Sequence, residues 1–243
     1  MKNKKISFGK GLNSIEGESW VFNKNVAKNF DLHVKQSIPF YDSIQKYISS
    51  LSEWFIKDNS NIYDLGCSTG ETAKNIFAFN RKRKIKYNYI GLDNSPQMIK
   101  LAKQKIKNKN IKFKTADINK ISFKKNSDLF ICLLTFPFLK INERKKLLKK
   151  VYNSLKVGGA LIYVDKIYSE NPFVQDIFTQ ILFDSKIENK LTTTQILNKA
   201  KSLRGSMNLY QQPEIIKFCQ EAGFKKNDVF FKWFNFVAII SIK

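Results

Sequence analysis

The sequence predicts a doubly wound α/β fold: a mostly parallel, seven-stranded sheet that closes in an antiparallel hairpin, preceded by helices and interrupted by a helical cap. Three observations predict it. Short runs rich in β-branched and aromatic residues alternate with helix-period segments from residue 62 to residue 165. Glycines or acids follow the first three of those runs, where such a sheet presents its ligand edge. With 43% hydrophobic and 14% aromatic residues among 243, the chain can also fill a large core.

The elements follow in order. Residues 1–20 are polar and glycine-bearing and read as a loose arm, and periodic apolar positions over 21–57 read as N-terminal helices. Ile62-Tyr63-Asp64-Leu65 is the first strand, followed by Gly66-Cys67-Ser68-Thr69-Gly70 and a helix over 71–79. Residues 87–93 form the second strand. Ser95-Pro96 opens the next helix, since Ser caps and Pro suits the first turn. Residues 111–115 form the third strand, 127–134 the fourth, and 142–155 a helix that Gly158-Gly159 is expected to break. Residues 160–165 form the fifth strand. A lysine-rich helical stretch over 173–201 sits in a cap spanning 167–211, then comes a helix over 212–222 with Gly223 as its C-cap. Residues 228–232 and 237–241 close the sheet as a hairpin. No linker divides the chain, so one domain over 1–243 is expected.

Charge, cysteines and hydropathy remove several function classes. The 43 Lys and Arg against 20 Asp and Glu give a formal charge of +23. All but Arg81, Arg83, Arg144 and Arg204 are lysines, scattered rather than clustered. Nucleic-acid readers favour the arginine fork, so the charge reads as a solvated surface and nucleic acid is not an expected partner. Three scattered cysteines, Cys67, Cys132 and Cys219, form neither a disulfide framework nor a zinc motif; no metal is expected, and a cytoplasmic setting is. The basic start leads into no apolar signal core, and the longest apolar run, 233–242, is half a membrane span.

The strand ends carry the chemistry. Gly66 and Gly70 let backbone approach a ligand, and the helix N-terminus beyond them favours a carboxylate. Their Gly-x-x-x-Gly spacing departs from the Gly-x-Gly-x-x-Gly of dinucleotide sites. Asp93 ends the second strand, where an acid accepts from ribose hydroxyls. Asp117-Ile118 follow the third, suited to accept from an adenine amine and pack on its ring. Together they predict a site for an adenosine-bearing ligand with a carboxylate tail, gripped by backbone amides at the tip of the first strand.

The segments Asp64-Leu65-Gly66-Cys67-Ser68-Thr69-Gly70, Gly91-Leu92-Asp93-Asn94-Ser95, Ala116-Asp117-Ile118 and Leu155-Lys156-Val157-Gly158-Gly159 resemble the motif series of class I S-adenosylmethionine-dependent methyltransferases. Ser37-Ile38-Pro39-Phe40-Tyr41, Ala222-Gly223-Phe224 and Phe231-Lys232-Trp233-Phe234-Asn235-Phe236 extend the resemblance to the carboxy-S-adenosyl-L-methionine synthase family over nearly the whole chain. That resemblance implies a Rossmann-like, cytoplasmic homodimer that moves a carboxyl group from prephenate onto the methyl of S-adenosylmethionine, in a tRNA wobble-uridine pathway. It implies Tyr41, Gly66, Cys67, Ser68, Asp93, Asn94, Asp117 and Ile118 as cofactor contacts.

Three departures bear on the reaction. The family's carboxylate-holding arginine falls at Ala200, leaving Lys199, Lys201 and Arg204 as candidates to position substrate; no other catalytic residue is assigned. Its asparagine after the fourth strand falls at Leu133, and an arginine before the Ser-x-Pro-x-Tyr stretch falls at Gln36. Lysine replaces an arginine fork poorly. Transfer of the methyl group of S-adenosylmethionine to a small-molecule acceptor is therefore the expected reaction, with carboxy-S-adenosylmethionine synthesis the alternative. Leu133-Leu134-Thr135-Phe136-Pro137-Phe138 lacks the Asn/Asp-Pro-Pro-aromatic motif of base methylases. His33 reads as a surface or capping residue, Cys67 as packing, and Asp165 with Lys166 as either a substrate contact or a local ion pair. The apolar positions of the cap, Phe173, Ile177, Ile181, Leu182 and Phe183, suit a dimer contact.

Overall fold

Alternation along the strands sorts the core into two layers, one on each face of the sheet. A computed structural model describes residues 24–243; the expected arm and residues 21–23 lie outside them. Helices α1 (Lys24–Ser37) and α2 (Tyr41–Phe55) lead into β1 (Asn61–Leu65), α3 (Glu71–Asn80), β2 (Asn88–Asp93), α4 (Pro96–Lys105), β3 (Ile111–Thr115) and β4 (Ser127–Leu133). Then follow α5 (Ile141–Ser154), β5 (Leu155–Tyr168), α6 (Pro172–Glu188), α7 (Thr193–Ser202), β6 (Tyr210–Gln211), α8 (Gln212–Ala222), β7 (Lys226–Trp233) and β8 (Phe236–Ile242). Ile62, Leu129, Ile131 and Ile162 pack with Ile44, Ile48, Ala73 and Ile76 of α2 and α3. Tyr63, Phe130, Leu161 and Tyr163 pack with Leu147, Val151, Ile215 and Phe218 of α5 and α8.

The strand order is β3-β2-β1-β4-β5-β8-β7, with β6 paired off β5. Strands β1 to β5 run parallel, and β8 lies antiparallel between β5 and β7. The path thus holds the seven predicted strands. The eighth, β6, is two residues long and carries no period for a sequence reading to detect.

Two stretches differ from expectation. Helix α5 stops at Ser154 without help from the glycines, and Gly158-Gly159 lie inside β5, which runs 14 residues. There the β4–β5 register shifts between Ser127 and Leu129, and Gly158 takes φ +76° while its N–H donates to Lys243 O at 2.8 Å. The pair forms a bulge in a strand rather than a helix stop. The cap is two helices instead of one stretch. Asn171 caps α6 by accepting from Phe173 and Val174 N–H, and Thr192 opens α7 in a reciprocal bond with Gln195. Helix α8 spans the predicted residues and ends at Gly223, φ +118°, where a Cβ would strike the Tyr152 ring at 2.7 Å.

Candidate functional site

Right-handed crossovers put the C-terminal ends of β1 to β5 along one edge, and a cavity of about 600 Å³ opens there. Helix α1 roofs it with Phe30, His33, Val34 and Ser37, which share one helical face. Asp31 accepts hydrogen bonds from Thr69 Oγ1 and Lys105, and Lys105 also reaches Glu71 at 3.1 Å. Gln36 Nε2 donates to Asn189 O at 3.0 Å. The roof is thereby tied to the glycine loop on one side and the cap on the other.

Tyr41, Gly66, Cys67, Ser68, Asp93, Asn94, Asp117 and Ile118 all line this cavity. The loop after β1 works differently from expectation. Leu92 O accepts from both Gly66 N–H (2.8 Å) and Cys67 N–H (2.9 Å), and Asp93 Oδ2 accepts from Ser68 N–H (2.9 Å). Those amides are spent inside the protein, so they are not the grip; the loop offers a backbone surface without a side chain at Gly66. The N-terminus of α3, with Thr72 and Glu71 on the cavity wall, remains to face a carboxylate.

Asp93 also accepts from Ser95 N–H at 2.9 Å, so one carboxylate ties two strand-end loops together. Burial raises its pKa, and the two N–H bonds oppose the rise. Beneath it, burial pushes Asp64 up to about 7 while a Tyr89 hydroxyl donates to it at 2.7 Å. Tyr41 accepts from Gln45 Nε2 at 2.9 Å, and the same amide reaches Thr72 Oγ1 at 3.2 Å. Asp117 accepts from Asn119 N–H at 2.9 Å and stays exposed, whereas Ile118 is buried.

The loop carrying Asp117 and Ile118 is clamped from α5. Lys150 Nζ donates to the carbonyls of Ile118, Asn119 and Ile121, each at 2.9 Å, and lies 5.0 Å from the Phe123 ring centroid. Lys150→Met should weaken binding of S-adenosylhomocysteine about ten-fold by calorimetry, with Lys150→Arg recovering part of it. Unchanged affinity in the methionine variant would show the loop to be held by its other contacts.

The substrate-positioning candidates separate. Lys199 lines the cavity, with Ile196 and Leu203 on the same face of α7. Lys201 and Arg204 are exposed and line none of it: Lys201 sits two residues, roughly 200°, around α7 from Lys199, and Arg204 lies beyond the helix end. Ala200 is exposed as well, and none of the four arginines lines the cavity. His33 is buried on the cavity wall rather than at the surface, 3.2 Å from Ser37 Oγ, and burial followed by Lys199 and Lys186 pushes its pKa down to about 3. Asp165 and Lys166 form no local pair: Asp165 turns inward to Arg144, and Lys166 faces the cavity. Lys186 is among the wall residues that the sequence reading missed. Its signal was its place one turn after Leu182 on the inner face of α6.

Residues 62–159 match the family model described as a methyltransferase domain. The carboxy-S-adenosyl-L-methionine synthase of Staphylococcus epidermidis is 36% identical over 225 residues, covering 92% of this chain and 97% of that one. That of Methylococcus capsulatus is 30% identical, covering 91% and 93%. This chain belongs to the carboxy-S-adenosyl-L-methionine synthase family. As a member it is an S-adenosylmethionine-dependent transferase. Solved structures show the same fold at lower identity. Human N-acetylserotonin methyltransferase in complex with S-adenosylmethionine has a TM-score of 0.60 at 17% identity, over 91% of this chain and 56% of that one. The YcgJ protein of Bacillus subtilis has 0.63 at 14%, over 84% and 99%.

Proposed function

We propose that this member of the family transfers the methyl group of S-adenosylmethionine to a small-molecule acceptor held in the cavity. One observation carries the reading: the cavity joins the adenosine-holding strand ends to an acceptor wall that contains no arginine. Asp93 would hold the ribose hydroxyls, Asp117 and Ile118 the adenine, and Gly66 to Ser68 with the α3 N-terminus the methionine portion. Tyr41 and Asn94 flank them. The residues fit the cofactor: at Gly66 a Cβ would meet Thr135 Oγ1 at 2.0 Å, so the cradle admits no side chain. The cofactor, when bound, supplies an electrophilic methyl on sulfur. What the chain must then do is align the acceptor and exclude water, which Leu133, Leu134, Phe138 and Leu139 on the cavity wall suit.

A second reading, carboxy-S-adenosylmethionine synthesis, is favoured by the cationic residues Lys166, Lys186 and Lys199 on the same wall. Mass spectrometry of the cofactor after incubation with and without prephenate decides between them. Methyl transfer predicts no change in cofactor mass on adding prephenate. A prephenate-dependent gain of one carboxyl group would replace it with the second reading. The proposal includes a cytoplasmic homodimer. It is supported by the family resemblance, the three buried free cysteines, and the apolar residues Phe173 (73% exposed) and Ile177 (41%) on the outer side of α6.

A further inference from the structure

Residues 81–86 and 100–125 hold fifteen lysines and arginines and one acid, Asp117. Six of these lysines meet at one end of the fold. Parallel strands all start on the edge opposite the ligand edge, so the segments that lead into β2, β3 and β4 share a rim. Lys84 and Lys86 precede β2, Lys107 and Lys109 precede β3, and Lys124 and Lys125 precede β4; all six are exposed. Hydrogen bonds join the segments. Asn59 N–H donates to Lys86 O at 2.7 Å and Tyr89 N–H to Asn110 O at 2.9 Å. Asn61 Oδ1 accepts from Lys124 Nζ and from Asn88 Nδ2, each at 3.4 Å. From β3 to β4 the rim crosses three strand spacings, roughly 14 Å. None of the six lysines lines the cofactor cavity.

Two exposed rings border the rim. Helices α2 and α3 lead into β1 and β2 and so end at this edge, where Trp54 in the last turn of α2 is 80% exposed and Phe79 in that of α3 is 40% exposed. Asn80 Nδ2 donates to Ser52 Oγ at 3.4 Å, tying the two helix ends together, and Arg83 Nε lies 3.8 Å from Glu53, the neighbour of Trp54. Among the described residues, none of the six lysines has a carboxylate partner. The acids of this end are engaged: Glu53 with Arg83, Asp58 with Lys86 N–H, and Asp128 with Lys156 and Asn61 N–H.

Ammonium groups neutralise phosphates and release their counterions, while an exposed ring accepts the face of an unpaired base. A second copy of the chain would set like charges against each other here. A bilayer would require a continuous apolar face, whereas the rim exposes Asn59, Asn88 and Asn126 beside its lysines. Such amides suit ribose hydroxyls, the groups that distinguish RNA from DNA. We propose that the N-terminal edge of the sheet is a docking surface for single-stranded RNA, held through its phosphates and through bases stacked on Trp54 and Phe79. Lysines without an arginine fork neutralise the backbone and read no bases, so the surface has no sequence preference. The expectation of a solvated charge holds for each lysine taken singly; the parallel topology is what gathers them.

The test is fluorescence anisotropy of a labelled single-stranded RNA of about 20 nucleotides, titrated with the full chain between about 50 and 200 mM KCl. We expect saturable binding, tighter than to DNA of the same sequence, whose log K falls with log salt at a slope of about −3. Lys84→Gln with Lys86→Gln should flatten that slope by about one unit, and Lys109→Gln with Lys124→Gln likewise. Lys217→Gln with Lys232→Gln removes the same charge from exposed positions on α8 and β7 and should leave the slope unchanged. Trp54→Ala should weaken binding about five-fold or more at an unchanged slope, and Trp54→Phe should restore most of the affinity. Circular dichroism and an unchanged melting temperature confirm folding of each variant. The docking surface is overturned if no RNA binds, if the distant lysine pair flattens the slope as much as the rim pairs, if the DNA strand binds as tightly, or if Trp54→Ala binds like the parent. Sedimentation with phosphatidylglycerol vesicles in the absence of RNA binding would overturn it in favour of a membrane surface.

Discussion

Gly66→Ala should raise the dissociation constant for S-adenosylhomocysteine about 100-fold or more, close to 3 kcal/mol, and lower stability as well. Two costs act together. Gly66 has φ +79°, a backbone state that charges an L-residue about 1 kcal/mol. The new Cβ would also stand 2.0 Å from Thr135 Oγ1, with the other Thr135 side-chain atoms at 2.8 and 2.9 Å. Relief requires moving the turn after β4, whose Thr135 carbonyl accepts from Phe138 N–H at 3.1 Å, or moving the loop whose Gly66 and Cys67 amides share Leu92 O. Either shift disturbs the cradle. Gly158→Ala separates the two costs: φ is +76° there, but nothing lies within 4 Å of the added atom. It should cost about 1 kcal/mol in denaturant unfolding and leave ligand affinity alone. Adding Thr135→Gly to Gly66→Ala should recover the steric part and leave the backbone part. Parental affinity in the single alanine variant would show that the loop is not the ligand cradle.

The sheet was legible because its signals are local. Ile62 and Tyr63 alternate faces, Ser95-Pro96 caps α4 with Met98 N–H bound to Ser95, and Gly223 takes the positive φ that ends α8. The errors arise where partners distant in sequence decide. Gly158-Gly159 reads as a helix stop in isolation, yet the carbonyl of Lys243, from the end of the chain, draws that segment into β5. The glycine-loop amides look available from spacing alone, and only the parallel register of β1 with β2 shows Leu92 O and Asp93 consuming them. Asp165 and Lys166 are adjacent in sequence and opposite in space, so β-strand alternation argued against their pairing, while the identity of Arg144 as partner lay 21 residues away. The lysine wall draws on β5, α6 and α7, and no window of sequence contains it. His33 and Lys201 were misplaced for a related reason. Which face of a short helix turns inward depends on what it packs against, and Lys199 rather than Lys201 shares the side of Ile196 and Leu203.

Removing the Arg144 guanidinium should cost about 3–5 kcal/mol, roughly 10 °C in Tm. Arg144 is 1% exposed, pairs with the fully buried Asp165, and has the rings of Phe136, Tyr210 and Phe218 within 5.7 Å of its guanidinium carbon. Arg144→Met strands a carboxyl in that apolar shell. The pair is itself under-satisfied: among the described residues, Arg144 Nε and Nη1 and Asp165 Oδ1 have no hydrogen-bond partner. Breaking it is therefore expensive while replacing it is not, and Arg144→Met with Asp165→Leu should restore most of the loss. The pH dependence has a definite sign. Burial, opposed by Arg144, pushes Asp165 up to about 6 from 3.8. Between those values the native state holds more protons than the unfolded chain, so this group's contribution to stability falls as pH rises through the window. Without Arg144 the carboxyl shifts higher still, and the window extends upward. The Arg144→Met deficit should then be largest near pH 8 and shrink by pH 5, where Asp165 is neutral in the variant. An equal deficit at both values in denaturant unfolding would mean that lost packing against the three rings, rather than a stranded charge, sets the cost.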